Sequence, residues 1–280
     1  MKKIRKFMVA LIMAVSIFGL TNVGASKVQA AVTNYVMGYD GKIATAGKYQ
    51  VKMNESGIYS RKGTTGSWKR IVKNNSITCF STNGSTVYYV TSNYNYVMET
   101  GGAKVYSISV NGGKAKAIFS TRRCSIDRIY RYGNKLYVTQ RKSKFGDSIY
   151  KYDLSNKKYS KIREGYLWDA CGRTAIVTSG QYHKGTQTVD TMDLQNEKMK
   201  VLTKNCFEHK VSGKTVYYIV YSSSVDGYWN SGTFVIKQST LDGKNLKTIS
   251  KKLNGRQPYF EGNYVMYKTA SGAKKKIRFK

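Results

Sequence analysis

Acidic residues are scarce in this chain. Its 280 residues hold 15 Asp and Glu against 48 Lys and Arg, for a formal net charge of +33. Such an excess draws a protein toward polyanions over long range, and salt weakens the attraction. Only two histidines are present, His183 and His209, and no H-E-x-x-H or other close His pair exists. There is no G-x-S-x-G elbow, no phosphate-binding glycine loop and no D-x-D-x-D-G calcium loop. The four cysteines form no CxxC pair, which argues against a zinc ribbon or a thioredoxin-type site. No cofactor and no metal are implied. One proline, Pro258, and no amphipathic helical pattern beyond the first thirty residues point to an all-β chain.

The first thirty residues are of another kind. Lys2, Lys3, Arg5 and Lys6 precede an uncharged apolar run from Met8 to Leu20, and Val28-Gln29-Ala30 offers small residues for cleavage. The run is too short for a membrane span and reads as a secretory signal peptide, residues 1–30. Removing it would lower the charge from +33 to +28 by the loss of Lys2, Lys3, Arg5, Lys6 and Lys27. No later stretch is long and apolar enough to cross a membrane. The expectation is a secreted, extracellular protein, with residues 31–280 forming one domain that associates with the cell wall. Basic domains usually meet nucleic acid, but export argues against that partner. Anionic wall polymers, acidic glycans and membrane headgroups are nearer.

A word repeats along the chain. Ile149 is followed thirteen residues later by Ile162, and the same interval joins Ile58 to Ile71, Val105 to Ile118, Val189 to Leu202 and Ile236 to Ile249. Each segment has an apolar start, turn residues in the middle and a basic second half, as in IYKYDLSNKKYSKI at 149–162. The anchors recur after 47, 44, 40 and 47 residues. Ahead of most of them stand β-rich words, VYYV at 87–90, LYVT at 136–139, AIVT at 175–178 and VYYIV at 216–220, and upstream of these lie further strands such as SITCF at 76–80. Four strands in 40–47 residues is the pattern of a propeller blade. The C-terminal QPYFEGNYVMYKTASGAKKKIRFK supplies about three strands, and VTNYVMGYDG supplies one near the start. The reading is a six-bladed β-propeller whose N-terminal strand completes the last blade and closes the ring. The count leaves five or seven blades open.

The pattern of YYV followed by IYK-DL-NKK--KI resembles secreted bacterial propellers related to the YWTD, or low-density-lipoprotein-receptor-like, and TolB-like groups, although no Tyr-Trp-Thr-Asp word is present. The resemblance covers nearly all of residues 31–280 and implies a binding or scaffolding domain. The word SRKGTTGSWKRI is faintly similar to the Asp-box of sialidase-type propellers, without its Asp.

The repeated lysines fall on outermost strands, where they block edge-to-edge aggregation. Departures from the repeat are better functional candidates. Two long loops, 92–104 and 222–233, carry Tyr94, Tyr96, Tyr228 and Trp229, and a shorter one adds Tyr182 and His183. On one face of a ring these aromatics either form a stacking platform for sugars or peptides or fold down onto neighbouring blades. A second set lies on or near the innermost strands at the channel mouth: Asp127, Arg128, Trp168, Asp169, Glu208, His209, Arg256 and Glu261. These serve either a ligand or inter-blade ion pairing. Cys79, Cys124, Cys171 and Cys206 recur with the blade period, as disulfide partners or as small buried residues. The first functional reading is a non-enzymatic binding or scaffold module at the bacterial envelope, its partner an anionic wall polymer, a glycan or another secreted protein. The alternative is a carbohydrate-active hydrolase or lyase working at the channel mouth.

Overall fold

The computed structural model describes residues 35–143, 146–179, 187–212, 215–222 and 231–280. They belong to the unit Thr33–Lys280. The segment 1–30 lies outside the described residues. Every regular element described is a β-strand. A short first strand, β1 (Val36–Gly38), precedes three antiparallel groups of four. These are β2 (Ala44–Ala46), β3 (Tyr49–Asn54), β4 (Gly57–Lys62) and β5 (Lys69–Lys73); β6 (Ile77–Thr82), β7 (Thr86–Ser92), β8 (Gly102–Ser109) and β9 (Lys116–Arg122); and β10 (Ser125–Tyr132), β11 (Lys135–Ser143), β12 (Gly146–Asp153) and β13 (Tyr159–Glu164). The chain continues through β14 (Tyr166–Cys171), β15 (Thr174–Ser179), β16 (Gln187–Asp193), β17 (Met199–Ser212), β18 (Thr215–Tyr221), β19 (Ser231–Thr240), β20 (Lys247–Thr248), β21 (Leu253–Glu261), β22 (Tyr264–Lys268) and β23 (Lys274–Arg278). No helix among the described residues is long and apolar enough to cross a membrane.

The repeated word is a hairpin with a defined turn. In DLSNKK the Lys157 amide donates to the Asp153 carbonyl at 2.9 Å, and the Asp153 amide to the Lys158 carbonyl at 2.9 Å. Asp153 Oδ1 accepts from the Ser155 amide, and Asn156 Oδ1 from the Lys158 amide, both at 2.9 Å. DLQNEK repeats the scheme through Asp193, Gln195, Asn196 and Lys198. Lys157 and Glu197 occupy the same left-handed position, with φ of 60° and 64°. Short polar side chains that bond the backbone two residues on are what stabilise such a turn. The leading anchors point inward: Ile58, Val105, Ile149, Val189 and Ile236 are buried, while of the trailing ones Ile71 and Leu202 are buried and Ile118, Ile162 and Ile249 are half-buried.

Neighbouring groups are stitched by side chains that reach the next turn or inner strand. Tyr137 Oη donates to the Leu194 carbonyl at 2.5 Å, Thr78 Oγ1 to the Ile126 carbonyl at 2.6 Å, and Ser60 Oγ to the Val110 carbonyl at 2.6 Å. Lys151 Nζ meets Glu197 at 2.6 Å. Two long strands each serve two groups. β17 pairs with β16 through its first half and with β18 through its second, and β21 pairs first with β19 and then with β22.

The N-terminal strand departs from the expectation. It does not complete the last group: β23 pairs only with β22 among the described strands. Instead β1 lies along the inner edge of β6, with Met37 opposite Ser81 and Gly38 opposite Phe80, and touches β14 through Val36 and Cys171. Burial explains the choice. Met37 is wholly buried and Tyr35 nearly so, and a place beside the lysines of β23 would leave both in water. Gly38 is required there, because a Cβ would fall 2.0 Å from the Phe80 ring. The cysteines are likewise unbridged. All four are free thiols, with Cys79, Cys124 and Cys206 buried and Cys171 exposed. Cys79 packs in the core, where burial pushes its pKa up to about 12.

Candidate functional site

The inner strands share an irregularity that periodicity does not reveal. The ladders β6–β7, β10–β11, β14–β15, β17–β18 and β21–β22 each slip register at the corresponding point: Ile77/Cys79, Ile126/Arg128, Leu167/Asp169, Cys206/Glu208 and Arg256/Tyr259. The inserted residues include Thr78, Asp127, Trp168 and Phe207. A bulge bends its strand and re-aims the side chains at it. Asp127, Arg128, Trp168, Asp169, Glu208 and His209 therefore all stand at or beside bulges.

Arg128 is the centre of the group. Its guanidinium lies over the rings of Tyr39 (4.5 Å), Tyr166 (5.2 Å) and Trp168 (5.9 Å). Nη1 donates to the Asp127 carbonyl at 2.8 Å, while Nε is buried without a hydrogen-bond partner among the described residues. Trp168 stacks at a tilt on Tyr166 (4.7 Å), takes the His209 ring edge-on at 4.8 Å, and donates from Nε1 to Thr178 Oγ1 at 2.6 Å. His209 keeps some exposed surface, but its imidazole is enclosed, and burial pushes its pKa down to about 4. A neutral imidazole suits a place where Arg128 already supplies a cation.

The carboxylates are engaged. Asp127 accepts from Ser125 Oγ at 2.7 Å and faces Arg141 Nε at 3.4 Å. Arg141 also meets Asp147 at 2.7 Å, and that bond holds the guanidinium firmly charged. Asp169 is buried, paired with Lys42 at 2.9 Å, and capped by the Ala170 amide. Glu208 accepts from the Phe260 amide at 3.4 Å, and burial raises its pKa. Arg256 and Glu261 do not join this group: Arg256 donates to the Ala270 carbonyl at 3.0 Å, and Glu261 lies exposed at the end of β21. Among the described residues no set of three or more His, Cys, Asp or Glu is placed to hold a metal ion.

Tyr39, Tyr166, Arg141 and Asp147 complete the cluster and were not singled out from the sequence. The ladder supplies the missing signal, since Ser125 stands opposite Arg141 and Arg141 opposite Asp147. Beside the cluster, a cleft of about 570 Å³ is lined by Tyr39, Lys42, Asp169, Cys171, Val211 and Leu241, among others.

Of the loop aromatics, Tyr94 is buried and donates its hydroxyl to the Lys142 carbonyl. Tyr96, 36% exposed, shares a 2.6 Å hydrogen bond with Ser125 Oγ, and the two rings meet edge-on at 4.9 Å. Both fold down onto the third group. Tyr182, His183, Tyr228 and Trp229 lie outside the described residues.

No family model matches this chain, and no curated protein does. Solved structures do. The acylaminoacyl peptidase of Pyrococcus horikoshii is 11% identical, with 85% of this chain and 45% of that one covered and a TM-score of 0.52. An oligogalacturonate lyase from Vibrio parahaemolyticus is 8% identical, covering 82% of this chain and 73% of that one, with a TM-score of 0.50. TolB from Agrobacterium tumefaciens, of a β-propeller family, is 13% identical, covering 81% and 91%, with a TM-score of 0.45. The chain spans less than half of the peptidase. At these identities the likeness is one of fold.

Proposed function

We propose that this chain is an exported, basic, six-bladed propeller that acts as a non-enzymatic binding module at the cell envelope and holds an anionic wall polymer or glycan. One observation carries the reading. The inner-strand carboxylates Asp127, Asp169 and Glu208 are each engaged by a cation, a hydroxyl or a backbone amide. Asp127 and Asp169 each face a cation, at 3.4 and 2.9 Å, and an ion-paired carboxylate is a poor proton donor to substrate. Binding a polyanion needs only the excess of 48 basic over 15 acidic residues. The apolar run at 8–20 supports export, and the recurring four-stranded groups support the blade count.

Salt-titrated binding to isolated cell walls, with and without their anionic polymers, tests this. Retention is expected to fall steeply with salt and to vanish when the polymers are stripped. Retention that survives both treatments would replace charge with a specific glycan or protein site. Turnover of an acidic glycan that is lost on Asp127→Asn, Asp169→Asn or Glu208→Gln would overturn the non-enzymatic reading.

A further inference from the structure

The β7–β8 loop is built to show apolar side chains to solvent. Val97 is 85% exposed and Met98 72%, more than any other large apolar residue described. The loop that carries them is tied down at every level. The Val97 and Met98 amides both donate to Asn95 Oδ1, at 2.9 and 3.1 Å. The Asn95 amide donates to the Thr100 carbonyl at 3.0 Å, and the Asn93 amide to the Gly102 carbonyl at 3.0 Å. Tyr94 and Tyr96 anchor the flank to Lys142 and Ser125. A held loop that keeps two apolar side chains out of the core forgoes their burial energy, and such exposure marks a surface that meets another phase.

The surroundings say which phase. The Arg123 amide donates to the Gly101 carbonyl at 2.8 Å, and Gly102 pairs with Arg122, so the joint between β9 and β10 abuts the loop. Lys104, Arg122, Arg123 and Lys142 are all exposed around its base, against one loop acid, Glu99. A groove of about 450 Å³ runs beside it, lined by hydroxyls, amides and cations that include Ser92, Asn93, Lys104 and Arg122. An apolar tip above a cationic, hydrogen-bonding base complements an anionic lipid surface.

We propose that this loop docks the protein on anionic lipid. Val97 and Met98 enter the boundary between headgroups and acyl chains, and the groove receives a phosphate-bearing headgroup. The inference stands apart from the polymer reading, which needs charge and no apolar tip.

The test compares full-length chains on vesicles of phosphatidylcholine and of phosphatidylcholine mixed with phosphatidylglycerol. All carry the same N-terminal apolar run, so differences report the loop. The wild type is expected to prefer the mixed vesicles. Val97→Ser combined with Met98→Ser, which removes the apolar tip without changing the charge, is expected to weaken that binding about tenfold or more with an unchanged melting curve. An indole placed by Val97→Trp is expected to shift to the blue and to be quenched by brominated lipid beyond the wild-type background. Equal binding by the double variant, or no added quenching, would overturn the proposal in favour of charge alone. Glycerol phosphate that occupies the groove in solution while vesicle binding ignores the tip would likewise overturn the lipid source.

Discussion

At the scale of single residues, the environment of Trp168 governs what the cluster tolerates. Arg128 lies over one part of the indole and His209 meets it edge-on. Protonating His209 would bring a second cation to a ring already shared with Arg128. Its pKa is lowered from the ordinary 6.5 to about 4 by burial, so the unfolded chain takes up the proton first as pH falls. The contribution of neutral His209 is complete above about pH 6.5 and is lost as pH drops toward 4, with a slope of at most about 1.4 kcal/mol per pH unit. Glu208 works the other way, because its raised pKa favours the folded state as pH falls. Thermal stability is therefore expected to fall less from neutral to acid pH in His209→Phe than in the wild type. Parallel curves for the two would show that the imidazole titrates normally.

At the scale of elements, the strands that serve two groups turn on one residue. In β17 that residue is Asn205, with φ of 55°, at the slip in the ladder to β16 just before Cys206, where the ladder to β18 begins. Asparagine and glycine accept a left-handed backbone, and β-branched residues resist it. Asn205→Gly is expected to leave stability within about 0.5 kcal/mol and Asn205→Val to cost about 1–2 kcal/mol, read from denaturant midpoints. Equal effects would mean that the bend is not held by this position.

The elements were legible in sequence where side chain and backbone agree. The thirteen-residue hairpins were marked by buried anchors such as Ile149 and by Asx-type turns such as the one begun by Asp153. The words VYYV, LYVT, AIVT and VYYIV lie within β7, β11, β15 and β18. The partner of β1 was not legible, because a three-residue strand with Gly38 at its end carries no mark of which edge it joins. The bulges were hidden for a related reason. One inserted residue changes which side chains face each other, and only the ladder shows that Arg141 stands against Asp147. Tyr94 and Tyr96 were visible as loop aromatics, but their role as anchors depends on Lys142 and Ser125, which lie far away in sequence.

At the scale of the whole molecule, charge dominates. With a formal +33, the folded chain repels itself, and screening relieves that repulsion. The melting midpoint is expected to rise by a few degrees as sodium chloride goes from about 0.01 M to about 0.15 M, over which the screening length falls from about 30 to about 8 Å. A midpoint that falls instead would assign more of the stability to pairs such as Lys42–Asp169 and Lys151–Glu197 than to relief of repulsion.

The position of β1 also sets an order in time. Synthesis delivers Val36–Gly38 early, yet one of its two neighbours, β14, exists only once residues 166–171 have been made. Until then the strand can lie against β6 on one side only, and closing the long loop to its second neighbour carries an entropic cost that local hairpins do not meet. The hairpins of the first three groups can form as they emerge. This early strand is thus among the last to be locked, and a chain cut short before β14 would leave β1, with its buried Met37, paired along β6 only.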